Sequence, residues 1–183
     1  MKNNKTLRQR LKRLIEKEAF FRKRVILSSG RISNYYIDIR KISLKSQGAF
    51  LIANLFWQKL RAKKFDFIGG PTLGADPILS ALSYHAYLKK KPISTFIIRK
   101  EKKKHGRRRL LEGADLPKGS RLILIDDVAT SGASLVEAVR LMRRQRCQVN
   151  EVMVVVDREE GAKEALEKEK CRLDSLFVLS DFI

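Results

Sequence analysis

The sequence predicts an α/β fold, with a mostly parallel central sheet flanked by helices. Short apolar runs alternate along the chain with segments whose apolar residues recur at helical spacing. Residues 122–125 and 152–156 are apolar at every position, as strands are when helices cover both faces of a parallel sheet. A chain of 183 residues is long enough to bury a core of its own, so we expect one domain, 1–183.

The N-terminal part is predicted to differ from the rest. Leu7, Leu11, Leu14 and Ile15 lie on one helical face and predict an amphipathic helix. Residues 27–39, rich in Ser, Tyr and Ile, predict a small hairpin outside the main sheet. Helix and hairpin together form a hood segment, about residues 1–45, that precedes an α/β core of about 46–183.

The core is predicted to alternate helices and strands in order. Gly69, Gly70 and Pro71 are expected to end its first strand, because these residues commonly stop regular structure. The predicted helices are 46–64, 76–88, 134–146 and 159–170, and the predicted strands are 65–68, 95–98, 121–125, 149–156 and 176–179.

The composition argues against several classes of protein. The longest apolar run has five residues, against about 20 needed to span a bilayer. The first fourteen residues are basic without an uninterrupted apolar stretch, so no secretory signal is expected and we expect a cytoplasmic protein. Cys147 and Cys171 form no CxxC pair and have no histidine pair nearby, which argues against a zinc site or a disulfide framework. Both are expected to be buried packing residues.

The charge is strongly positive and unevenly spread. Forty Lys and Arg oppose twenty Asp and Glu, giving +20. Residues 1–24 hold ten of the cations, and residues 89–109 hold eleven with a single acid. Such segments attract nucleic acid, anionic membrane surfaces or multiply phosphorylated small molecules, and composition alone leaves all three open.

Residues 122–134, LILIDDVATSGAS, carry the most specific chemistry. A buried parallel strand delivers the residues after it to the edge of the sheet where α/β proteins bind ligands. Asp126 and Asp127 can accept hydrogen bonds from neighbouring sugar hydroxyls, and the hydroxyls and N–H groups of 130–134 can bind a phosphate at a helix start. Acids after a strand and hydroxyl-rich N-caps are each common alone. Joined without a gap, they predict a ribose 5-phosphate site.

This segment resembles the phosphoribosyl pyrophosphate (PRPP) motif of type I phosphoribosyltransferases. Four further segments resemble orotate phosphoribosyltransferases, so the resemblance covers about residues 20–183 and implies the type I phosphoribosyltransferase fold. They are 29–36, like the substrate-covering segment; 70–76, like the pyrophosphate loop; 99–106 with 111–113, like the catalytic loop; and 157–161, like the segment that places an arginine against orotate.

The resemblance implies transfer of a phosphoribosyl group from PRPP to orotate, giving orotidine 5′-monophosphate and pyrophosphate in pyrimidine biosynthesis. It implies four catalytic residues: Lys103, His105, Asp126 and Asp127. The implied PRPP and pyrophosphate contacts are Thr72, Leu73, Gly74, Arg99, Lys100, Lys103, His105, Asp126, Asp127, Val128, Ala129, Thr130, Ser131, Gly132, Ala133 and Ser134. The implied orotate contacts are Tyr35, Tyr36, Thr130 and Arg158.

The resemblance also implies a cofactor and a partner. Mg²⁺ is expected to be held mainly by substrate and water, with no direct protein ligand. The family's catalytic loop closes over the neighbouring subunit, which implies a homodimer with shared active sites. We expect neither a membrane partner nor, given the motifs, nucleic acid. Ser28 and Leu73 depart from the resemblance, since many members carry lysine at these places.

Two other functions stay open. One is a phosphoribosyltransferase for a different base, such as a purine or uracil, which Arg158 and the segment 29–36 argue against. The other is a nucleic-acid-binding regulator that uses the sugar-phosphate site as a PRPP sensor, which only the +20 charge supports.

Overall fold

A six-stranded sheet forms the centre of the fold, in a computed structural model that describes residues 2–26, 32–99 and 110–183. The helices are α1 (Lys2–Glu18), α2 (Arg40–Ser43), α3 (Ser46–Leu60), α4 (Ala75–Leu88), α5 (Ala133–Arg144) and α6 (Ala162–Lys168), with a 3₁₀ turn at Leu179–Asp181. The strands are β1 (Phe20–Ile26), β2 (Ile32–Ile37), β3 (Phe67–Pro71), β4 (Ser94–Ile98), β5 (Leu111–Gly113), β6 (Arg121–Ala129), β7 (Gln148–Asp157) and β8 (Arg172–Val178).

The main sheet has the order β5-β4-β3-β6-β7-β8. All its neighbours are parallel except the edge pair β4 and β5, which is antiparallel. The predicted α/β class with a mostly parallel sheet is therefore confirmed. Strands β1 and β2 pair antiparallel in a separate two-stranded sheet.

Two apolar clusters cover the two faces of the sheet. Alternate residues of β6 point to opposite faces, so Ile123 and Ile125 join the cluster beneath α1, α3 and α4, whereas Leu122 and Leu124 join the cluster beneath α5 and α6. All four are at most 4% exposed, which confirms the prediction of a strand buried on both faces.

The N-terminal helix was predicted correctly from its apolar face. Leu11 and Ile15 of α1 are fully buried and lie in the same apolar cluster as residues of α3. The hairpin starts earlier than predicted, because its first strand, β1, precedes residue 27. Residues 27–31, which join its strands, lie outside the described part of the chain.

The prediction that Gly69, Gly70 and Pro71 end a strand was wrong. Strand β3 runs through all three, and Gly69 pairs with Phe96 of β4. A Cβ added at Gly69 would lie 2.4 Å from Cζ of Phe96, and one added at Gly70 would lie 1.9 Å from the carbonyl oxygen of Ile125. These glycines are needed for close packing inside the sheet rather than for a turn.

Other element boundaries differ for local reasons. The predicted helix 159–170 shortens to α6, because Glu159 and Gly161 have φ angles of +56° and +106°, outside the helical range. Strand β5 was not predicted, because antiparallel pairing with β4 defines its three residues. In the described ranges, no helix is both long and apolar enough to cross a membrane.

The two cysteines are free and buried, as predicted. Burial raises the pKa of Cys147 and raises that of Cys171 to about 11. His85 and Trp57 are also buried, and their rings contact each other edge-on at 6.1 Å.

Candidate active site

The candidate site lies where β3 and β6 separate. The chain leaves β3 through α4 to β4 on one side of the sheet, and leaves β6 through α5 to β7 on the other. This is the switch point at which open α/β sheets bind ligands. Pairing between β3 and β6 stops at Gly69 and Leu124, whereas β7 follows β6 as far as Ala129.

Asp126 and Asp127 lie within β6, not beyond its tip as the sequence suggested. The strand extends past the apolar run because β7 continues to pair with it, with Asp126 opposite Val154. Both acids therefore sit on a paired strand beside the gap left by β3.

A cavity of about 520 Å³ opens above this gap. It gathers residues from the hood, from the loop after β3, from β6 and α5, and from the end of β7. The lining consists of Tyr36, Ile37, Asp38, Arg40, Pro71, Thr72, Leu73, Gly74, Asp126, Asp127, Val128, Thr130, Ser134 and Arg158.

The two acids accept hydrogen bonds from their own strand. Asp126 Oδ1 accepts from the Asp127 N–H at 2.9 Å, and Asp127 Oδ1 accepts from the Val128 N–H at 2.8 Å. Burial raises the pKa of Asp127, while the Val128 N–H and the nearby Arg40 guanidinium act to lower it. The carboxylates are thus oriented and partly desolvated before any ligand binds.

The loop after β3 closes against these acids. A Cβ added at Gly74 would lie 2.4 Å from Asp127 Oδ1 and 2.5 Å from Asp126 Oδ1, so only glycine fits there without displacing a carboxylate. The Thr72 hydroxyl donates to Asp76 Oδ2 at 2.7 Å. The Leu73 side chain is 65% exposed and adds no charge to the loop.

The turn at 130–134 leads from β6 into α5. Gly132 has φ +80°, a conformation that favours glycine, and an added Cβ would lie 2.9 Å from Cα of Ala162. Thr130 and Ser134 line the cavity together with Val128. Ala129, Ser131, Gly132 and Ala133 are outside the cavity lining, although Ala133 starts α5 as the motif requires.

Arg158 lies at the end of β7 and is only 3% exposed. Its Nε donates to Glu160 Oε1 at 2.9 Å. Its Nη2 donates to Ser33 Oγ at 2.9 Å and to the Tyr35 carbonyl at 3.2 Å. The guanidinium therefore joins the hood to the core, and it faces the same cavity as the acids.

Beside Tyr36, which was predicted from the sequence, the hood adds Asp38 and Arg40 to the cavity, and these two were not predicted. Residues 36–40 alternate in burial, since Ile37 and Ile39 are buried and the other three are more exposed, and all of them except Ile39 line the cavity. This period of two was visible in the printed sequence and could have indicated Asp38 and Arg40.

Ser33 and Glu160 were missed as well, because their role depends on contact with Arg158 across the fold. The ring of Tyr35 stacks on Phe20, with centroids 5.5 Å apart, so Tyr35 reaches Arg158 through its backbone.

Lys100, Lys103 and His105 lie outside the described residues. Arg99, just after β4, is described. Its N–H donates to the Leu110 carbonyl at 2.8 Å and its Nη1 lies 3.5 Å from Glu112 Oε1, outside the cavity lining.

Comparison with known proteins agrees with this geometry. The family model for the phosphoribosyl transferase domain matches residues 42–177. The chain is 40% identical to the orotate phosphoribosyltransferase of Aquifex aeolicus over 183 residues, covering 96% of this chain and 97% of that protein.

Solved structures show the same similarity. The orotate phosphoribosyltransferase of Mycobacterium tuberculosis in complex with Fe(III) dicitrate superposes with a TM-score of 0.82 at 36% identity, covering 96% of this chain and 98% of that one. The same enzyme in complex with PRPP superposes with a TM-score of 0.79 at 34% identity and the same coverage.

Proposed function

We propose that this chain, which belongs to the orotate phosphoribosyltransferase family, transfers the phosphoribosyl group of PRPP to orotate in pyrimidine biosynthesis. The observation that carries the proposal is a single cavity that joins the acids Asp126 and Asp127, the turn residues Thr130 and Ser134, and the nearly buried Arg158. The cavity thus offers groups suited to a sugar, a phosphate and a planar carboxylate.

The donor would bind across β6 and the start of α5. Asp126 and Asp127 would accept hydrogen bonds from the ribose hydroxyls. The hydroxyls of Thr130 and Ser134, with the N–H groups of the 130–134 turn, would bind the 5-phosphate near the positive end of α5. The loop 72–74 would lie beside the pyrophosphate.

Arg158 would bind the carboxylate of orotate. Its Nη1 has no hydrogen-bond partner among the residues that the structure describes, so two N–H groups remain for a ligand. Glu160, Ser33 and the Tyr35 carbonyl hold the rest of the guanidinium in place, which reduces the entropy lost when it binds a planar anion. This arrangement favours orotate over bases that lack a carboxylate.

Chemistry would proceed at the anomeric carbon of the ribose. Its bond to the pyrophosphate oxygen breaks as a bond to a ring nitrogen of orotate forms, and positive charge develops on the sugar. The proton of that nitrogen is lost to the departing pyrophosphate or to water. Asp126 and Asp127 are oriented before binding, so their charge can stabilise that state with little reorganisation. Lys103 and His105 are proposed from the sequence alone to neutralise the departing pyrophosphate.

Mg²⁺ is proposed as the cofactor. The oxygen donors of Asp126 and Asp127 suit a hard cation that keeps most of its water. They would act on it through water and the ribose hydroxyls. When bound, the cation would neutralise charge on the pyrophosphate.

A homodimer is proposed from the family and from the surface of α4. Tyr84, Tyr87 and Leu88 follow helical spacing on one side of α4, and each is more than half exposed. Such an exposed apolar patch suits contact with a second copy. Arg158 contacts both the hood and the core, which supports one domain per subunit. A cytoplasmic location remains a prediction from the sequence.

Pyrophosphate release with orotate and Mg²⁺ tests the proposed activity. We expect turnover with orotate and none with uracil, hypoxanthine or adenine. Asp126→Asn/Asp127→Asn should abolish turnover, whereas Asp174→Asn, which pairs with Lys59 and is outside the cavity lining, should retain it. Turnover with another base, or salt-sensitive nucleic-acid binding without turnover, would overturn the proposal.

Subunit mixing tests the shared sites. Asp126→Asn/Asp127→Asn subunits and Lys103→Ala subunits should each be inactive alone. Mixed, they should recover some activity if one copy completes the site of another. A monomer in light scattering, or no recovery in a proven mixed dimer, would contradict shared sites.

A further inference from the structure

We infer, given the proposed function, that Arg40 is a further donor-binding residue whose guanidinium contacts the pyrophosphate group of PRPP. Arg40 begins α2 in the hood, and its side chain lines the cavity opposite the acids of β6. This would make the hood a binding element for the donor as well as for the base.

The first support is the balance of charge in the cavity. Its described lining holds three carboxylates, Asp38, Asp126 and Asp127, and two guanidinium groups, Arg40 and Arg158. PRPP carries several negative charges, which these acids alone would repel. Besides the proposed Mg²⁺, a cation of the hood beside the leaving group would therefore help to offset this charge.

Arg158 does not fill that role, because its Nη1 is assigned to the carboxylate of orotate and three neighbours hold the rest of its guanidinium in place. It is nearly buried, and it contacts Glu160, Ser33 and Tyr35 at the junction of β7 and the hood. Arg40 differs, because its side chain is 44% exposed. Its guanidinium can contact a ligand in the cavity without leaving a buried position.

Arg40 is also oriented for a ligand. Its Nε donates to Asp38 Oδ1 at 3.0 Å, whereas neither Nη atom has a hydrogen-bond partner among residues 2–26, 32–99 and 110–183. The fork of Nη donors that remains suits two phosphate oxygens. Asp38 is thus a positioning residue that fixes the inner part of the guanidinium.

The position of Arg40 favours pyrophosphate over the 5-phosphate. A second cavity of about 620 Å³ adjoins the first, and Arg40, Asp38 and Leu73 line both. Thr130 and Ser134, by contrast, line only the first. Arg40 therefore lies on the side of the 72–74 loop, where the exposed Leu73 side chain supplies no charge.

Three variants test the inference. Arg40→Met removes the charge and keeps an unbranched side chain, and Arg40→Lys keeps the charge without the fork. Arg61→Met, at the exposed end of α3 and outside both cavities, removes one positive charge elsewhere and controls for long-range attraction. Steady-state kinetics would give the KM of each substrate, and calorimetry would give the Kd of magnesium pyrophosphate.

We expect Arg40→Met to raise both the KM for PRPP and the Kd of magnesium pyrophosphate about 10- to 100-fold, with the KM for orotate nearly unchanged. Arg40→Lys should fall between Arg40→Met and the wild type, and Arg61→Met should match the wild type. An unchanged Kd for magnesium pyrophosphate in folded Arg40→Met would overturn the inference, even if the kcat of that variant were lower. Equal increases in both KM values would also overturn it, since they would indicate a general disturbance of the hood.

The two proposals can fail separately. If the wild-type protein did not turn over orotate, the proposed function would be refuted. Binding of magnesium pyrophosphate by wild type and Arg40→Met would still decide the role of Arg40.

Discussion

Ser33→Ala should weaken orotate binding by loosening Arg158. The Ser33 hydroxyl accepts from Arg158 Nη2 at 2.9 Å and donates to the Tyr35 carbonyl at 3.0 Å. Removing it leaves the Tyr35 carbonyl, at 3.2 Å, as the remaining hood acceptor for this arginine. The guanidinium would then be held mainly by Glu160, on one side.

The size of the effect depends on the bond that is lost. A hydrogen bond to a charged group contributes about 1.5–3 kcal/mol. Because this bond is present with and without orotate, and Tyr35 and Glu160 still hold Arg158, binding loses only the cost of fixing the guanidinium. We expect this cost to be at most about 1.5 kcal/mol, which is about a tenfold rise in the KM for orotate. The KM for PRPP should stay near the wild-type value, since Ser33 is outside the cavity lining on the donor side.

The assay is steady-state kinetics with each substrate varied in turn. Ser33→Thr keeps the hydroxyl and should retain most orotate affinity. Ser83→Ala is the control, because it removes a partly buried hydroxyl on α4 whose one hydrogen bond to the described residues goes to the Ile93 carbonyl, at 3.5 Å. An unchanged KM for orotate in Ser33→Ala, or equal rises in both KM values, would refute the reasoning.

Three other substitutions or treatments give equally direct expectations. Gly69→Ala should lower Tm by about 4–8 °C, because the added methyl group clashes with Phe96 at a cost of about 2 kcal/mol. In a Phe96→Leu background the same substitution should lower Tm by much less. If calorimetry showed that the stability losses of the two substitutions simply add, this contact would be contradicted. Burial raises the pKa of Asp127, so the folded protein binds more protons at this group than the unfolded chain does, and ionised Asp127 lowers the stability of the fold as pH rises through its native pKa. Asp127→Asn should therefore raise Tm at neutral pH, lose that advantage in acid and lack turnover. A lower Tm for the variant at neutral pH would refute this reasoning. Burial raises the pKa of Cys171 to about 11, so iodoacetamide at about pH 8 should label neither Cys171 nor Cys147 until guanidinium unfolds the protein, and mass spectrometry showing labelling in the native protein would refute this.

The central strands could be predicted because their signal is local. Residues 122–125 and 152–156 are apolar throughout, and the structure buries them on both faces of the sheet. The role of Gly69 could not be predicted, since its reason is the ring of Phe96, 27 positions further along the chain and on the next strand. The short strand β5 was missed for the same reason, as it is defined by its partner.

The candidate site shows a similar limit. Asp126, Thr130 and Ser134 lie in one contiguous motif, so the sequence indicated them together, and the structure places them in one cavity. Asp38 and Arg40 carry no comparable local motif, and they join this group only because the hood folds over the carboxyl edge of the sheet. Their alternation with buried isoleucines indicates a face but not what the face covers.

Alternate residues of β6 support the two sides of the candidate site from opposite faces of the sheet. Ile123 and Ile125 pack in the layer that holds α4, beside the loop 72–74, whereas Leu122 and Leu124 pack in the layer that holds α5. Conservative changes at one pair are therefore expected to act mainly on one side of the candidate site, either beside the loop 72–74 or beside the start of α5.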